Sequence, residues 1–377
     1  MSDWIGRAHA MTQLGVRAQT LYAYVSRGWI GARPDPADPR RSLYAASDID
    51  RLAARQKRPR KAGAIAAGAI SWGEPSIPTR LSTIDRGRLI YRGEDAVALS
   101  ATATLEEIAA LLWEQAAPPH FAEADHGAFA SPFAALADLA VAAPASLHRS
   151  PTQLGIDGAR GVARLASGFG LPESDDPLHA RLAAAWRVDA TGADLLRQAL
   201  VLIADHDLNA STFTVRVAAS TGASIAACLL AGLATLSGPR HGAAGASLAM
   251  LVGQAERHGI TAALDQWLAA GHELQAFGHM LYPQGDVRAV PLLDRLTLDP
   301  VMARLRDAVR EVGGQPPNID FALCALARAL ALPDDAPFVL FALGRSVGWV
   351  AHAIEQVTTG SLIRPRGRYD GAMPTAD

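Results

Sequence analysis

Apolar residues at helical spacing near the N-terminus predict a small helical module. Residues 11–28 indicate two short helices around a tight turn at Gly15, with Thr12 as the N-cap of the first. The second helix has the i, i+3, i+4 spacing of a buried face, at Leu21, Tyr24 and Val25. A proline-rich hairpin with a basic pair follows, and a third helix is expected from about Ser47.

The longer part of the chain, residues 70–377, has the periodicity of helices. Its opening residues combine proline, glycine and β-branched side chains and predict short strands and turns. Helical segments rich in alanine and leucine follow, the first opened by a capping box of Thr104 and Glu107. Strands and helices do not alternate, so we expect a mostly α body rather than a parallel sheet. Residues 62–69, which are small and include two glycines, predict a linker to the N-terminal domain, residues 1–61.

Charge is distributed unevenly between these two parts. Residues 1–61 carry a net charge of +7 and the remainder carries −9, which suggests two modules with different partners. Lys57 and Lys61 are the only lysines. The body therefore cannot use a Schiff-base lysine, a pyridoxal-phosphate anchor or a P-loop lysine.

The cysteines and the hydropathy of the chain predict the cellular compartment of the protein. Cys228 and Cys324 are far apart in the sequence and form no C-x-x-C pair, so neither a disulfide framework nor a zinc ribbon is expected. Residues 217–239 carry no charge, but their serines, threonines and glycines favour a buried helix over a membrane span. The first residues lack the apolar core of a signal peptide. We expect a soluble, cytoplasmic protein.

The order helix, turn, helix, basic hairpin, helix resembles the winged helix-turn-helix of MerR-type and excisionase-like DNA-binding modules. In that family the second helix enters the major groove and the wing contacts phosphates. The residues that would face DNA are Arg17, Gln19, Thr20, Tyr22, Arg27, Arg40 and Arg41. The alternative is a small helical appendage that serves docking or dimerisation.

Three histidines lie in unusual local sequences. His241 is surrounded by glycine and proline in SGPRHGAAG, and His279 follows a glycine in AFGHM. His206 lies between two aspartates in DHDLNAST. Small neighbours permit close approach of a ligand, and an imidazole at a helix start tends to stay neutral and can donate a hydrogen bond. Taken singly, each is more typical of a packed or capping histidine than of a catalytic one, but three such histidines in one helical body favour a functional site.

One carboxylate and several arginines complete the candidate chemistry. Asp320 follows a Gly-Gly-Gln-Pro-Pro loop and precedes an apolar helix, where it could simply be an N-cap. Arg345 interrupts an apolar helix, and a charge there needs a partner. Arg364 and Arg366 follow in IRPRGRYDG. Arginines on apolar elements are suited to bidentate binding of carboxylates.

Together these segments resemble the citrate synthase family in order and spacing. The matching blocks are IDRGRLIYRG, DHDLNASTF, GPRHG, FGH with DVRA, NIDF, GRSVGWVAHAIEQ and IRPRGRYDG, within residues 70–372. The resemblance implies a helical two-domain body, with a large domain of residues 70–244 and 336–377. A small domain, residues 245–335, would close over the acyl-CoA.

The resemblance also implies a role for each matching residue. Asp320 would be the base that takes a methyl proton from acetyl-CoA. His241 would donate a hydrogen bond to the thioester carbonyl, and His279 would polarise the ketone of oxaloacetate. The two carboxylates of oxaloacetate would be held by His206, Arg288, Arg345 and Arg364. Arg364 would reach across from the other subunit of a homodimer, and neither a metal nor a cofactor is required.

Two departures from the family pattern leave the substrate open. The block HGAAG replaces the usual HGGAN, so Ala243 and Gly245 change the lining beside His241. The usual basic residue after Tyr282 is missing, which affects how the phosphates of CoA are held. Acetyl-CoA and propionyl-CoA differ by one methylene, worth about 1–3 kcal/mol in a pocket, so citrate and 2-methylcitrate synthesis both fit.

A function of a different class also fits the sequence. The basic N-terminal part is compatible with a DNA-binding regulator that uses a citrate-synthase-like body to sense a metabolite. The presence of Asp320, His241 and His279 favours the enzyme.

Overall fold

The computed structural model describes residues 4–16, 18–26, 29–36, 38–57, 77–122, 129–242, 244–312, 314–366 and 371. The chain divides into two compact units. The first holds the residues up to Pro78 with Trp267–Leu274 and the C-terminal end from Arg366; the second holds Thr79–Gln266 and Gln275–Pro365. The predicted linker, residues 62–69, lies outside the described residues, and the predicted domain boundaries stay predictions.

The first unit combines three helices with a small antiparallel sheet. Its strands are ordered β1-β3-β2. In chain order the elements are β1 (Trp4–Gly6), α1 (Arg7–Leu14), α2 (Ala18–Ser26), β2 (Ala32–Asp35), β3 (Asp38–Ala45) and α3 (Ala46–Lys57). Their apolar faces meet in a core built on Ala10, Leu14, Leu21, Ile30, Tyr44 and Ile49.

The two predicted helices around a turn at Gly15 are present, with one correction, and the helix-turn-helix domain itself stays a prediction. Gly15 ends α1 with a φ of +65°, which favours glycine. Thr12 is not an N-cap. It lies inside α1, where its hydroxyl donates to the carbonyl of Ala8, because the helix already begins at Arg7.

The second unit is mostly helical, as predicted. Its one described sheet is antiparallel, ordered β4-β5-β6. The elements are β4 (Ser82–Asp85), β5 (Arg88–Tyr91), β6 (Glu94–Asp95), α4 (Ala96–Leu99), α5 (Leu105–Trp113), α6 (Pro132–Ala142), α7 (Pro151–Gly168), α8 (Leu178–Trp186), α9 (Ala190–Leu202), α10 (Ala210–Ser220), α11 (Ile225–Leu236), α12 (Ala244–His258), α13 (Ile260–Ala269), α14 (Val290–Leu293), α15 (Pro300–Glu311), α16 (Ile319–Ala329) and α17 (Ala336–Thr359).

Two long apolar stretches of this unit pack inside it. Residues 217–239 were expected to form one buried helix, but the end of α10 and the start of α11 are separated by a turn, so that prediction is wrong in detail. Within the described part of the chain, α17 alone is long and apolar enough to cross a membrane, and 83% of its most apolar window is buried inside the protein. This long apolar helix is therefore mostly packed in the core of the unit.

Glycines in α17 let it approach the end of α9 closely. The Gly348 amide donates to the Ala204 carbonyl at 3.1 Å. A Cβ on Gly344 would lie 2.5 Å from Cγ1 of Ile203 and 2.9 Å from the carbonyl oxygen of Leu200. Because Arg345 follows Gly344, this contact also fixes where that guanidinium enters the unit.

We expect Gly344→Ala to lower the free energy of unfolding by about 1–3 kcal/mol, the usual cost of overpacking a core. Thermal denaturation followed by circular dichroism measures the change. Gly253→Ala is the matched control, since its Cβ would meet only the flexible end of Arg257 at 3.4 Å. A Gly344→Ala protein as stable as this control would contradict the close approach.

Candidate active site

An aromatic cluster holds two of the predicted histidines. His206 lies in the loop between α9 and α10, and its ring meets that of His279 edge to face, with centroids 4.8 Å apart. Tyr282 lies against both rings, and its hydroxyl is 3.1 Å from Nε2 of His206. Burial, together with the charge of Arg288, lowers the pKa of His206 well below its usual value, so this imidazole is neutral.

A backbone hydrogen bond indicates which ring nitrogen of His279 carries the proton. Its Nδ1 accepts a hydrogen bond from the Leu281 amide at 3.2 Å. An imidazole nitrogen that accepts carries no proton, so in the neutral ring the proton is on Nε2. Nε2 of His279 is thereby a donor.

Arg288 is held by a carboxylate two residues before it. Asp286 accepts from Nε and Nη2 of Arg288 at 2.9 and 2.7 Å, and both side chains are at most 3% exposed. Burial opposes ionisation of Asp286, but Arg288 outweighs it and lowers the pKa of the carboxylate. Nη1 of Arg288 is the guanidinium nitrogen that Asp286 does not use.

Arg345 is buried with part of its hydrogen-bonding capacity unused. It is 1% exposed, and its Nε donates to the Ile203 carbonyl at 2.9 Å. Nη1 and Nη2 have no partner among the described residues. Burial lowers the pKa of Arg345 to about 10, with the charge of Asp205 opposing that shift. The guanidinium is charged at neutral pH and lacks a carboxylate hydrogen-bonded to it.

Asp205 ends a buried polar chain behind Arg345. Its Oδ2 accepts from Ser82 Oγ at 2.5 Å and from His352 Nε2 at 3.2 Å. Nδ1 of His352 accepts a hydrogen bond from Arg216 at 3.2 Å. The proton of the neutral ring is therefore on Nε2, which donates a hydrogen bond to Asp205. Glu355 neutralises Arg216 at 2.7 Å.

His241 is positioned by a serine and a tryptophan. Ser211 Oγ lies 2.8 Å from Nε2 of His241, and Trp349 Nε1 donates to the same hydroxyl at 3.3 Å. The hydroxyl proton has two acceptors within reach, His241 and the Asn209 side-chain oxygen at 2.8 Å. When Ser211 donates to His241, the imidazole proton is on Nδ1 and can be given to a ligand. Burial, more than any helix terminus, lowers the pKa of His241 to about 4.

Asp320 is not the N-cap of its helix, so the simpler interpretation of this residue is wrong. Asn318 caps α16 and accepts from the Asp320 amide at 3.0 Å. The carboxylate of Asp320 is thus free of a capping role. Desolvation, opposed by Arg288 and supported by Asp286, raises its pKa to about 6.

Six of the seven predicted residues lie in one electrostatic neighbourhood. Arg288 and Arg345 both act on Asp320 and on His206, and Phe341 lies between Arg345, 5.0 Å away, and the ring of His241 at 6.3 Å. His279 contacts His206. The seventh, Arg364, is exposed on the segment that follows α17. Its contribution to a partner subunit stays a prediction.

Several residues of the site were not predicted from the sequence, namely Asp205, Arg216, Ser211, Asp286 and His352. His352 lies within the apolar helix α17. A buried polar side chain within an apolar helix was the available signal, because such a group needs a partner.

The predicted DNA-contacting residues are only partly described. Arg17 and Arg27 lie outside the described residues, and Gln19 and Arg40 are described by backbone alone. Thr20 is half-buried on α2, and Tyr22 is exposed and accepts a hydrogen bond from Arg7 at 3.0 Å. Arg41 is exposed on β3 and pairs with Asp38 at 3.2 Å. Among the described residues, no group of three or more His, Cys, Asp or Glu side chains could hold a metal ion.

A comparison with protein families finds a match over the part of the chain that contains these residues. Residues 159–366 match the family described as citrate synthase, C-terminal domain, and this match covers more than half of the chain. The chain belongs to the citrate synthase family. Six of the seven candidate residues lie together in the second unit, within the matched residues; Arg364, also matched, is exposed.

Curated relatives extend the match over different lengths. Citrate synthase 2 of Bacillus subtilis is 35% identical over 47% of this chain and 51% of its own. 2-Methylcitrate synthase 2 of Corynebacterium glutamicum is 32% identical over 46% and 48%. These matches span about half of each relative. Citrate synthase of Haloferax volcanii is 28% identical over 78% of this chain and 93% of its own.

The fold agrees with a solved citrate synthase. The structure from the archaeon Thermoplasma acidophilum, a ternary complex with carboxymethyl-coenzyme A and oxaloacetate, is 25% identical. It covers 81% of this chain and 96% of its own, with a TM-score of 0.63.

We expect Ser211→Ala to lower kcat by about 10- to 100-fold, because loss of a group that sets a hydrogen-bond donor weakens stabilisation of charge in the transition state. The KM for oxaloacetate, the substrate that the family resemblance implies, should change little, since Ser211 contacts His241 alone among the predicted catalytic residues. Steady-state kinetics separates the two parameters.

Ser211→Thr keeps the hydroxyl and is the matched variant, expected to retain most of the activity. If Ser211→Ala kept the wild-type kcat, Ser211 would not orient His241.

Proposed function

We propose that this protein condenses a short acyl-CoA with oxaloacetate and hydrolyses the resulting thioester, as a citrate or 2-methylcitrate synthase. The observation that carries the proposal is Arg345. A buried, charged guanidinium whose Nη1 and Nη2 lack partners among the described residues is a site for an anionic ligand, since leaving such a group unsatisfied is costly. Arg288 offers its Nη1 to a second carboxylate. Oxaloacetate has two.

The first step is removal of a proton from the acyl group. Asp320 is ionised above about pH 6 and takes a proton from the carbon next to the thioester carbonyl. With Ser211 donating to its Nε2, neutral His241 carries its proton on Nδ1 and donates a hydrogen bond to the thioester oxygen as electron density moves onto it. The hydrogen-bonded enolate that forms is the carbon nucleophile.

The second step forms the carbon–carbon bond. The enolate carbon attacks the ketone carbon of oxaloacetate, which restores the thioester carbonyl and turns the ketone oxygen into an alkoxide. The Nε2–H of His279 stabilises that oxygen by hydrogen bonding and passes a proton to it, and the proton that Asp320 took from the acyl carbon restores His279 and leaves Asp320 ionised. Water then cleaves the thioester, which releases the carboxylate product and CoA with a free thiol. The reaction requires no cofactor, and acyl-CoA enters as substrate.

The size of the acyl group is inferred from the relatives and from the space beside His241. Relatives named for citrate and for 2-methylcitrate synthesis match the chain at similar identity. Gly245 leaves room in the segment after His241, where a Cβ would be in ordinary contact with Cys324 and Pro337, at 3.5 and 3.4 Å. We therefore expect both acyl-CoAs to be accepted.

Thiol release from acetyl-CoA and from propionyl-CoA, with and without oxaloacetate, tests the proposal on the full chain. Oxaloacetate-dependent release is expected from both. Asp320→Asn should lower kcat by about 10²–10⁴, the usual contribution of a general base, while oxaloacetate still binds.

Asp307→Asn, at an exposed position on α15, is the control and should behave as wild type. Absence of thiol release from the wild-type protein, or full activity in Asp320→Asn, would refute the proposed reaction or its base.

DNA binding by the first unit is the second candidate, favoured by its architecture. Two helices around the Gly15 turn precede an antiparallel β2–β3 hairpin, the arrangement of a winged helix-turn-helix. The exposed Arg41 lies on that hairpin. In this function the body would act as the metabolite-binding part of a regulator.

Binding of the full chain to duplex DNA should weaken steeply with salt, because each phosphate contact releases counterions. We expect Arg40→Glu with Arg41→Glu to reduce affinity by at least tenfold in fluorescence anisotropy. Arg304→Glu with Arg310→Glu, an equal charge change on α15, is the control. Lack of binding to any duplex at low salt would exclude this candidate.

A further inference from the structure

We propose that Asp286 is a positioning residue that couples the oxaloacetate clamp to the catalytic base, by orienting Arg288 and anchoring the first turn of α16, which carries Asp320. The inference rests on the proposed function. One buried carboxylate thereby serves both the oxaloacetate clamp and the helix that carries the base.

The geometry uses both oxygens of Asp286 fully. Oδ1 accepts from the backbone amide and Nε of Arg288, at 3.0 and 2.9 Å. Oδ2 accepts from Nη2 of Arg288 at 2.7 Å and from the amide of Ile319 at 3.0 Å. Ile319 is the residue directly before Asp320. The position of Arg288 and the start of α16 are therefore fixed to one another through a single side chain.

This arrangement leaves one end of Arg288 for a ligand. Three of its hydrogen-bonding positions, the backbone amide, Nε and Nη2, are taken by Asp286, and Nη1 is not. The Tyr282 ring lies 5.6 Å below the guanidinium and limits its tilt. Without Asp286, the guanidinium would lose the bidentate contact that selects this orientation.

The same carboxylate contributes to the electrostatic environment of Asp320. The groups that act on Asp320 are Arg288 and Asp286 from the segment before α14, and Arg345 from α17. Cys324, one turn further along α16, also interacts with Asp320. Of these, Asp286 alone is a carboxylate, and it disfavours ionisation of Asp320. Removing its charge also leaves Arg288 uncompensated, and both changes make Asp320 a weaker base.

Asp286→Asn is the test, with two readouts on the full chain. The KM for oxaloacetate should rise about 10-fold or more, because a charged hydrogen-bond pair is lost. The acidic limb of the pH dependence of kcat/KM, which reports groups of the free enzyme, lies near pH 6 in the wild type if Asp320 is the base. In the variant it should move down by about one pH unit.

The second readout separates positioning from stability. A residue that only stabilises the fold would change the amount of active enzyme and leave the acidic limb in place. Asp299→Asn is the matched control, since Asp299 also caps a helix, α15, and pairs with an arginine of α16, Arg328. Asp299→Asn should keep both the wild-type KM and the wild-type limb.

Asp286→Glu covers the case in which Asp286→Asn does not fold. It retains the charge but is one methylene longer, so it cannot keep both the Arg288 and the Ile319 contacts. A rise in KM of at least tenfold with an unmoved acidic limb is expected. Wild-type KM in Asp286→Glu, or an unmoved limb in a folded Asp286→Asn, would overturn the inference. Thiol release by the wild-type protein tests the proposed function separately.

Discussion

The site depends on a buried positive charge that is not hydrogen-bonded to a carboxylate. Arg345 lies on an apolar helix and donates only its Nε, to the Ile203 carbonyl. Removing a charge from water costs several kcal/mol even after relaxation. The nearby negative charge of Asp205 offsets part of that cost. A ligand carboxylate would offset more, so the site favours an anionic ligand.

The surrounding fold is arranged to hold that charge in place. Gly344 and Gly348 bring α17 against the end of α9, which positions the carbonyl that Nε requires. Behind it, Arg216 forces the proton of His352 onto Nε2, and His352 then fixes Asp205. Arg216, His352 and Asp205 are thus linked in sequence by hydrogen bonds, so a change at one member is transmitted to the others.

The sequence was informative wherever a feature is local. The capping box of Thr104 and Glu107 is present, as are the Gly15 turn and the mostly helical body. The blocks around His206, His241, His279 and Asp320 indicated the site, although their roles stay predictions. The local sequence was misleading where a residue at the start of a helix could be either the N-cap or a residue inside the helix. In the sequence, Thr12 and Asp320 both look like N-caps. The observed helices begin at Arg7 and Ile319, so both residues lie inside a helix and neither is its N-cap.

The partners of the site residues could not be found in this way. Ser211 is 30 positions from His241, and Asp205 is 147 from His352. Their proximity results from the packing of α10, α11 and α17, which no single segment specifies. Asp286 is close to Arg288 in the sequence, but its bond to Ile319 spans 33 residues.

Burial acts in opposite directions on the two groups that would share the enolisation step. Desolvation raises the pKa of Asp320 to about 6 and lowers that of His241 to about 4, because it disfavours the charged form of each. Their usual order is thereby reversed. A proton taken by Asp320 is held there in preference to His241, which stays neutral and keeps its own proton for hydrogen bonding. In the proposed reaction the thioester oxygen therefore meets an uncharged donor, and the enolate forms beside a neutral imidazole rather than an imidazolium ion.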